Sequence, residues 1–113
     1  DNKGIVDFIV DQLDSDKAED IQVIDLEGKT EFAKYMVIAT GTSSRHVKAL
    51  SSKLSEELKR EIGFDTIRIE GAEKAEWMLL DAGDIIINIF KPETRATIDM
   101  ESIWKMEFKN NDF

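Results

Sequence analysis

A change of hydrophobic period at Gly41 divides the middle of the chain into two kinds of structure. Tyr35–Thr40 (YMVIAT) is an apolar run of strand length, as expected of a central strand. After Gly41-Thr42-Ser43-Ser44, Val47, Leu50, Leu54, Leu58 and Ile62 recur at three- or four-residue intervals. That spacing predicts one long helix over 44–62, because it places all five side chains on one face. Thr42 or Ser43 suits the N-cap, and Gly63 suits the left-handed residue that ends a helix. A strand, a long amphipathic helix and a further strand ending at Glu70 form the pattern of a right-handed crossover between parallel strands.

The flanks add elements to this unit. Ile5, Val6, Ile9, Val10 and Leu13 predict an amphipathic helix over 3–14. Ile21–Leu26 reads as a strand ended by the turn signal Glu27-Gly28-Lys29, and Thr30–Lys34 as one helical turn. Thr66–Glu70 alternates like a half-buried strand. Trp77–Leu80 and Asp84–Phe90 read as a hairpin joined by Asp81-Ala82-Gly83. Pro92 then opens a helical stretch from Glu93 to about Trp104, with Trp104 as its anchor to the core. The expected fold is α/β, with layers of about three main helices on a five-stranded mixed sheet. Residues 1–104 are read as one domain and 105–113 (KMEFKNNDF) as a partly ordered tail.

Composition narrows the function classes. The 113 residues carry 24 acidic and 15 basic side chains, a net charge of −9. This disfavours autonomous binding to bare nucleic acid, where phosphate neutralisation dominates affinity, and suits a basic protein partner. No cysteine is present, which removes disulfide scaffolds, Cys-ligated zinc and thiol catalysis. The single His leaves little for a metal site. No apolar run approaches the roughly 20 residues of a membrane helix. The first twenty residues are too acidic for a secretory or transit signal, so a cytoplasmic location is expected.

Few motifs carry chemistry. Gly28-Lys29-Thr30 looks like the end of a phosphate-binding loop, but Val23 stands where the motif needs a second glycine, so a β-turn is expected. Gly41, Thr42, Ser43, Ser44 and Arg45 lie at a strand-to-helix junction, where free amides can receive an anion. Internal capping is the alternative there. His46, in the first turn, has no second His and no nucleophile motif beside it. Asp81 and Asp84 flank a hairpin tip, a common structural use of Asp beside Gly. In WMLL, Trp77 and Leu79 face one side and Met78 and Leu80 the other. The strand Ile85–Ile89 is apolar on both faces and looks central, which pushes WMLL toward the outside of the sheet.

The blocks YMVIATGTSSRHVKAL (35–50), IEGAEKAEWMLLDAGDIIINIF (69–90) and KPETRATIDMESIW (91–104) resemble the Iojap family, the ribosomal silencing factors. The resemblance runs from about Asp20 to Trp104 and leaves the tail outside. It implies a fold related to nucleotidyltransferases without their activity, and the strand DTIRIE (65–70) indeed lacks their paired acids. It implies no enzyme activity and no cofactor. It implies binding to the fourteenth protein of the large ribosomal subunit, at the face where the small subunit docks. Steric blocking of subunit joining would then repress translation under nutrient limitation. Carried over by residue, the contact set is Trp77, Met78, Leu79, Leu80, Asp81, Gly83 and Asp84, with Lys91 and Glu93 beside it. A homodimer is also implied, and neither a membrane nor sequence-specific nucleic acid is. The competing expectation is a nucleotide- or anion-binding protein, either a residual nucleotidyltransferase or a phosphoryl-ligand sensor, at Gly41–Ser44.

Overall fold

The computed structural model describes residues 1–71 and 73–105. Helix α1 (Asn2–Ser15) starts at Asp1, whose Oδ1 accepts from the Gly4 amide at 2.7 Å. Strands β1 (Glu19–Asp25) and β2 (Tyr35–Thr40) follow, then helix α2 (Ser44–Glu57). The last turn of α2 widens into a π-helical segment, Leu58–Ile62, ended by Gly63 at φ 99°. Next come β3 (Arg68–Glu70), β4 (Trp77–Ala82) and β5 (Ile85–Phe90), then helices α3 (Pro92–Ile98) and α4 (Met100–Lys105). The expected tail from 106 onward and the side chain of Trp104 lie outside the described residues.

The five strands form one mixed sheet in the order β1-β2-β5-β4-β3. β2 and β5 pair in parallel at its centre, and the other three pairings are antiparallel. The predicted crossover from β2 to β3 therefore joins strands of the same direction, but β5 and β4 lie between them. One face of the sheet packs Val37, Ala39, Leu80, Ile85, Ile87 and Ile89 under α1 and α2. The other packs Ile24, Leu26, Met36, Ile38 and Phe90, with Ile98 and Met100 from the C-terminal helices laid over them. The mixed sheet between helical layers matches the α/β expectation.

Several boundaries move for identifiable reasons. Thr30–Lys34 forms no helical turn; the Thr30 hydroxyl accepts from the Phe32 amide at 3.1 Å and holds a local turn instead. Ile62 does not complete the apolar stripe. The π-turn advances the chain less per residue and leaves Ile62 36% exposed. Asp81 and Ala82 belong to β4, so the hairpin turn is only Gly83-Asp84, with Gly83 at φ 70°. The C-terminal helical stretch breaks at Asp99, which takes a left-handed conformation at φ 49°. β4 is one strand in from the edge, because the short β3 closes that side. Gly28-Lys29-Thr30 is a turn, with the Lys29 amide donating to the Leu26 carbonyl at 2.8 Å.

Candidate functional site

The β4–β5 hairpin presents different chemistry on its two faces. Alternation sends Met78, Leu80 and Ala82 under α2, where they are buried. Trp77, Leu79 and Asp81 point to the opposite face and stay half-buried. Met78 and Leu80, expected among the contact residues, are thus core: they are 5% and 0% exposed and offer no surface to a partner. Cross-strand register completes this face, where Trp77 and Ile86 also pack against the cluster that Ile98 and Met100 join. Trp77 lies beside Phe90, Leu79 beside Asn88, and Asp81 beside Ile86. On the outer side, Glu70 pairs with Leu79 and Arg68 with Asp81. Apolar Trp77, Leu79 and Ile86 are therefore bordered by the charged groups Glu70, Arg68 and Asp81. Arg68 and Glu70 form an exposed ion pair at 3.2 Å.

Trp77 is the most constrained of these side chains. Its ring lies 5.1 Å from that of Phe90, tilted by 30°. Its Nε1 donates to Asn88 Oδ1 at 2.8 Å. Its backbone carbonyl faces Gly71, where a Cβ atom would come within 2.1 Å of it. Glu70, Gly71, Trp77 and Leu79 line a shallow depression of about 220 Å³.

The remaining expected contact residues lie at the two ends of the hairpin. Gly83 and Asp84 form its tip. The Asp84 carbonyl accepts from the Lys34 amide at 2.7 Å, and its carboxylate accepts from Asn2 Nδ2 at 3.3 Å. Lys91 and Glu93 sit at the other end, beyond β5. The Lys91 amide donates to the Glu76 carbonyl at 2.9 Å, next to Trp77. A six-residue strand spans about 20 Å, so the tip and the Lys91 end are separate places. Trp77, Leu79 and Asp81 alone form a continuous row.

The helix start after Gly41 is partly capped from within the chain. The Gly41 amide donates to the Phe90 carbonyl at 2.9 Å, and the His46 amide to Ser43 Oγ at 3.1 Å. The Thr42 amide donates to His46 Nδ1 at 2.9 Å. Nδ1 therefore carries no proton, and Nε2 donates to the Asp16 carbonyl at 3.0 Å. Of the five residues expected to hold an anion, Gly41 and Thr42 have their amides engaged, Ser43 spends its hydroxyl as the cap, Ser44 is half-buried in the first turn, and Arg45 is exposed. The adjoining cleft, about 640 Å³, mixes Asp16 and Glu19 with Lys17 and Lys53 and has no single sign of charge. His46 thus ties the start of α2 to the end of α1. A His46→Ala variant should lose about 1–2 kcal/mol of stability in urea titration, since two backbone groups lose partners. An unchanged midpoint would mean that water replaces both.

Sequence reading missed Arg95. It sits in α3, 8% exposed, and its Nη1 donates to Thr40 Oγ1 at 2.7 Å and to the Asp20 carbonyl. Nε and Nη2 form a fork on the Glu101 carboxylate, at 3.1 and 2.7 Å. This one side chain joins α3, α4, β1 and β2. Asp20 is 75 positions away in sequence, and no local pattern could signal the contact.

Among the described residues no group of three or more His, Asp or Glu side chains is placed to hold a metal ion. No helix there is long and apolar enough to cross a membrane. Over residues 1–112 the chain matches the family model described as RsfS, ribosomal silencing factor during starvation. It is 45% identical over 104 residues to the ribosomal silencing factor RsfS of Zymomonas mobilis, covering 92% of this chain and 77% of that one. It is 37% identical over 101 residues to the RsfS of Haemophilus influenzae, covering 89% and 98%. The fold is similar to the crystal structure of a Chromobacterium violaceum protein, with a TM-score of 0.86 and 34% identity over 93% of this chain and 87% of that one. The chain belongs to the RsfS family of ribosomal silencing factors, whose members are not enzymes.

Proposed function

We propose that this protein represses translation by occupying the large ribosomal subunit where the small subunit docks, with the fourteenth large-subunit protein as its partner. The observation that carries this reading is the half-buried hairpin face. Trp77, Leu79 and Ile86 form a half-buried apolar row on a rigid sheet, beside the carboxylates Asp81 and Glu70. Buried aromatic anchors ringed by polar groups are where interface energy concentrates. The net charge of −9 favours encounter with a basic ribosomal protein and opposes spreading over ribosomal RNA. Occlusion needs only a stable bound shape, so a nucleotidyltransferase-like scaffold without catalytic acids suffices. The site of action is the cytoplasm. Self-association on the same face would compete with the ribosome, since an isologous contact would cover Trp77.

The test is sedimentation with separated ribosomal subunits at two salt concentrations. The protein should co-migrate with large subunits only, less so at high salt, and should prevent subunit joining. Trp77→Ala should weaken this binding about thirtyfold, close to 2 kcal/mol, with the melting curve showing a folded protein. Full binding by a folded Trp77→Ala variant would remove the hairpin face as the docking site. Co-migration with small subunits would remove the occlusion mechanism.

A further inference from the structure

Asn88 is the anomaly of the central strand. It is 1% exposed, in the middle of β5, between Ile38 on β2 and Leu79 on β4. Its Oδ1 accepts from Trp77 Nε1 at 2.8 Å, while its Nδ2 is buried with no hydrogen-bond partner among the described residues. An unmade hydrogen bond of this kind works against folding. Leucine has a similar branched outline but more bulk; it would remove the unpaired Nδ2 and leave the indole N–H without its acceptor instead. The amide therefore satisfies one donor, the indole N–H, while leaving its own Nδ2 unpaired among the described residues.

The amide does determine how Trp77 is held. Indole has one hydrogen-bonding atom, and Asn88 engages it. The ring lies against Phe90, and the Nε1 bond adds a directional restraint that an apolar contact lacks. With its polar atom engaged, the part of the ring left at the surface is entirely carbon. Holding an aromatic anchor in its bound orientation before contact reduces the ordering cost of association.

We propose that Asn88 is a positioning residue, which presets the orientation of Trp77 for docking; this rests on the reading of the hairpin face given above. The chain has two tryptophans, so a Trp104→Phe background leaves Trp77 as the sole reporter. In that background, Asn88→Leu should melt within a few degrees of the parent, since it removes one unpaired donor and creates another. The Trp77 fluorescence anisotropy should decay faster, and binding to large subunits should weaken about tenfold. Trp77→Phe keeps a ring but lacks the N–H. Adding Asn88→Leu to it should cost no further affinity, because the bond is already gone. Asn88→Ala, which avoids any added bulk, covers the case in which leucine does not pack.

Three outcomes overturn the proposal. One is an unchanged anisotropy decay in Asn88→Leu. Another is a melting temperature lowered by several degrees with binding intact, which makes the amide purely structural. The third is an equal loss of affinity from Asn88→Leu with and without the indole N–H. If a folded Trp77→Ala variant binds normally, the docking reading fails; the anisotropy decay still decides whether Asn88 fixes the ring.

Discussion

An Arg95→Ala variant should lose about 3 kcal/mol of stability, the scale seen when one partner of a buried charged pair is removed. For a domain of this size that lowers the melting temperature by roughly 12–24 °C. Three groups lose their donor together. Thr40 Oγ1 is on a residue 6% exposed, the Asp20 carbonyl lies within an irregular stretch of β1, and the Glu101 carboxylate is 21% exposed. Partial access to water at Glu101 softens the loss, and its repulsion from nearby Asp20 adds to it. Arg95→Lys should recover less than half, because an ammonium cannot reproduce the fork on Glu101 while reaching Thr40. Thermal melts of the three proteins by circular dichroism test this. An alanine variant melting within two degrees of the parent would falsify the claim that Arg95 fastens α3 and α4 to the sheet.

Gly71→Ala should be at least as damaging, for a different reason. Gly71 sits at φ +92°, a region that L-residues occupy at a cost of roughly 1–3 kcal/mol. Its added methyl would also meet the Trp77 carbonyl oxygen at 2.1 Å, and backbone cannot swing aside as a flexible side chain can. Gly28→Ala is the matched control. Gly28 is at φ +82° with nothing within 4 Å of a built Cβ, so it should show the backbone term alone, about 1–2 kcal/mol. The difference between the two variants in urea titration isolates the collision. Equal losses would mean that the strand end yields freely. Displacing the Trp77 carbonyl also moves the proposed anchor, so Gly71→Ala should reduce large-subunit binding more than its stability loss alone explains.

The sequence carried local information well and distant information poorly. A cap at Thr42 or Ser43, Gly63 as helix end and the alternation of Trp77 against Met78 all rest on neighbours within one or two turns. They were legible because capping, left-handed glycine and the β pleat act at that range. Alternation separates two faces but does not say which is covered, so Met78 and Leu80 entered the expected contact set although α2 buries them. Ile62 fits the helical period and is still exposed, since a π-turn leaves no mark in a pattern of apolar positions. Arg95 and Asn88 escaped notice because each takes its meaning from a partner on another strand or helix. Arg95 reads as one more surface charge in a helical stretch, and Asn88 as a blemish in an apolar run. The neighbouring of β2 and β5 is likewise a property of the assembled sheet.

That pairing bears on how the chain is made. Tyr35 has its antiparallel partner Asp25 close behind it, so the β1–β2 pair is complete early in synthesis. Its other edge is built to receive Ile85 through Phe90, which emerge only after α2, β3 and β4. Until then Val37, Ile38 and Ala39 have neither their central neighbour nor a finished layer over them. The nascent chain thus carries an apolar, unpaired strand edge while half of the molecule is being added, the condition under which strands find wrong partners. Folding should therefore be late and abrupt, with protection of the β2 amides against hydrogen exchange appearing only once the chain has passed Phe90.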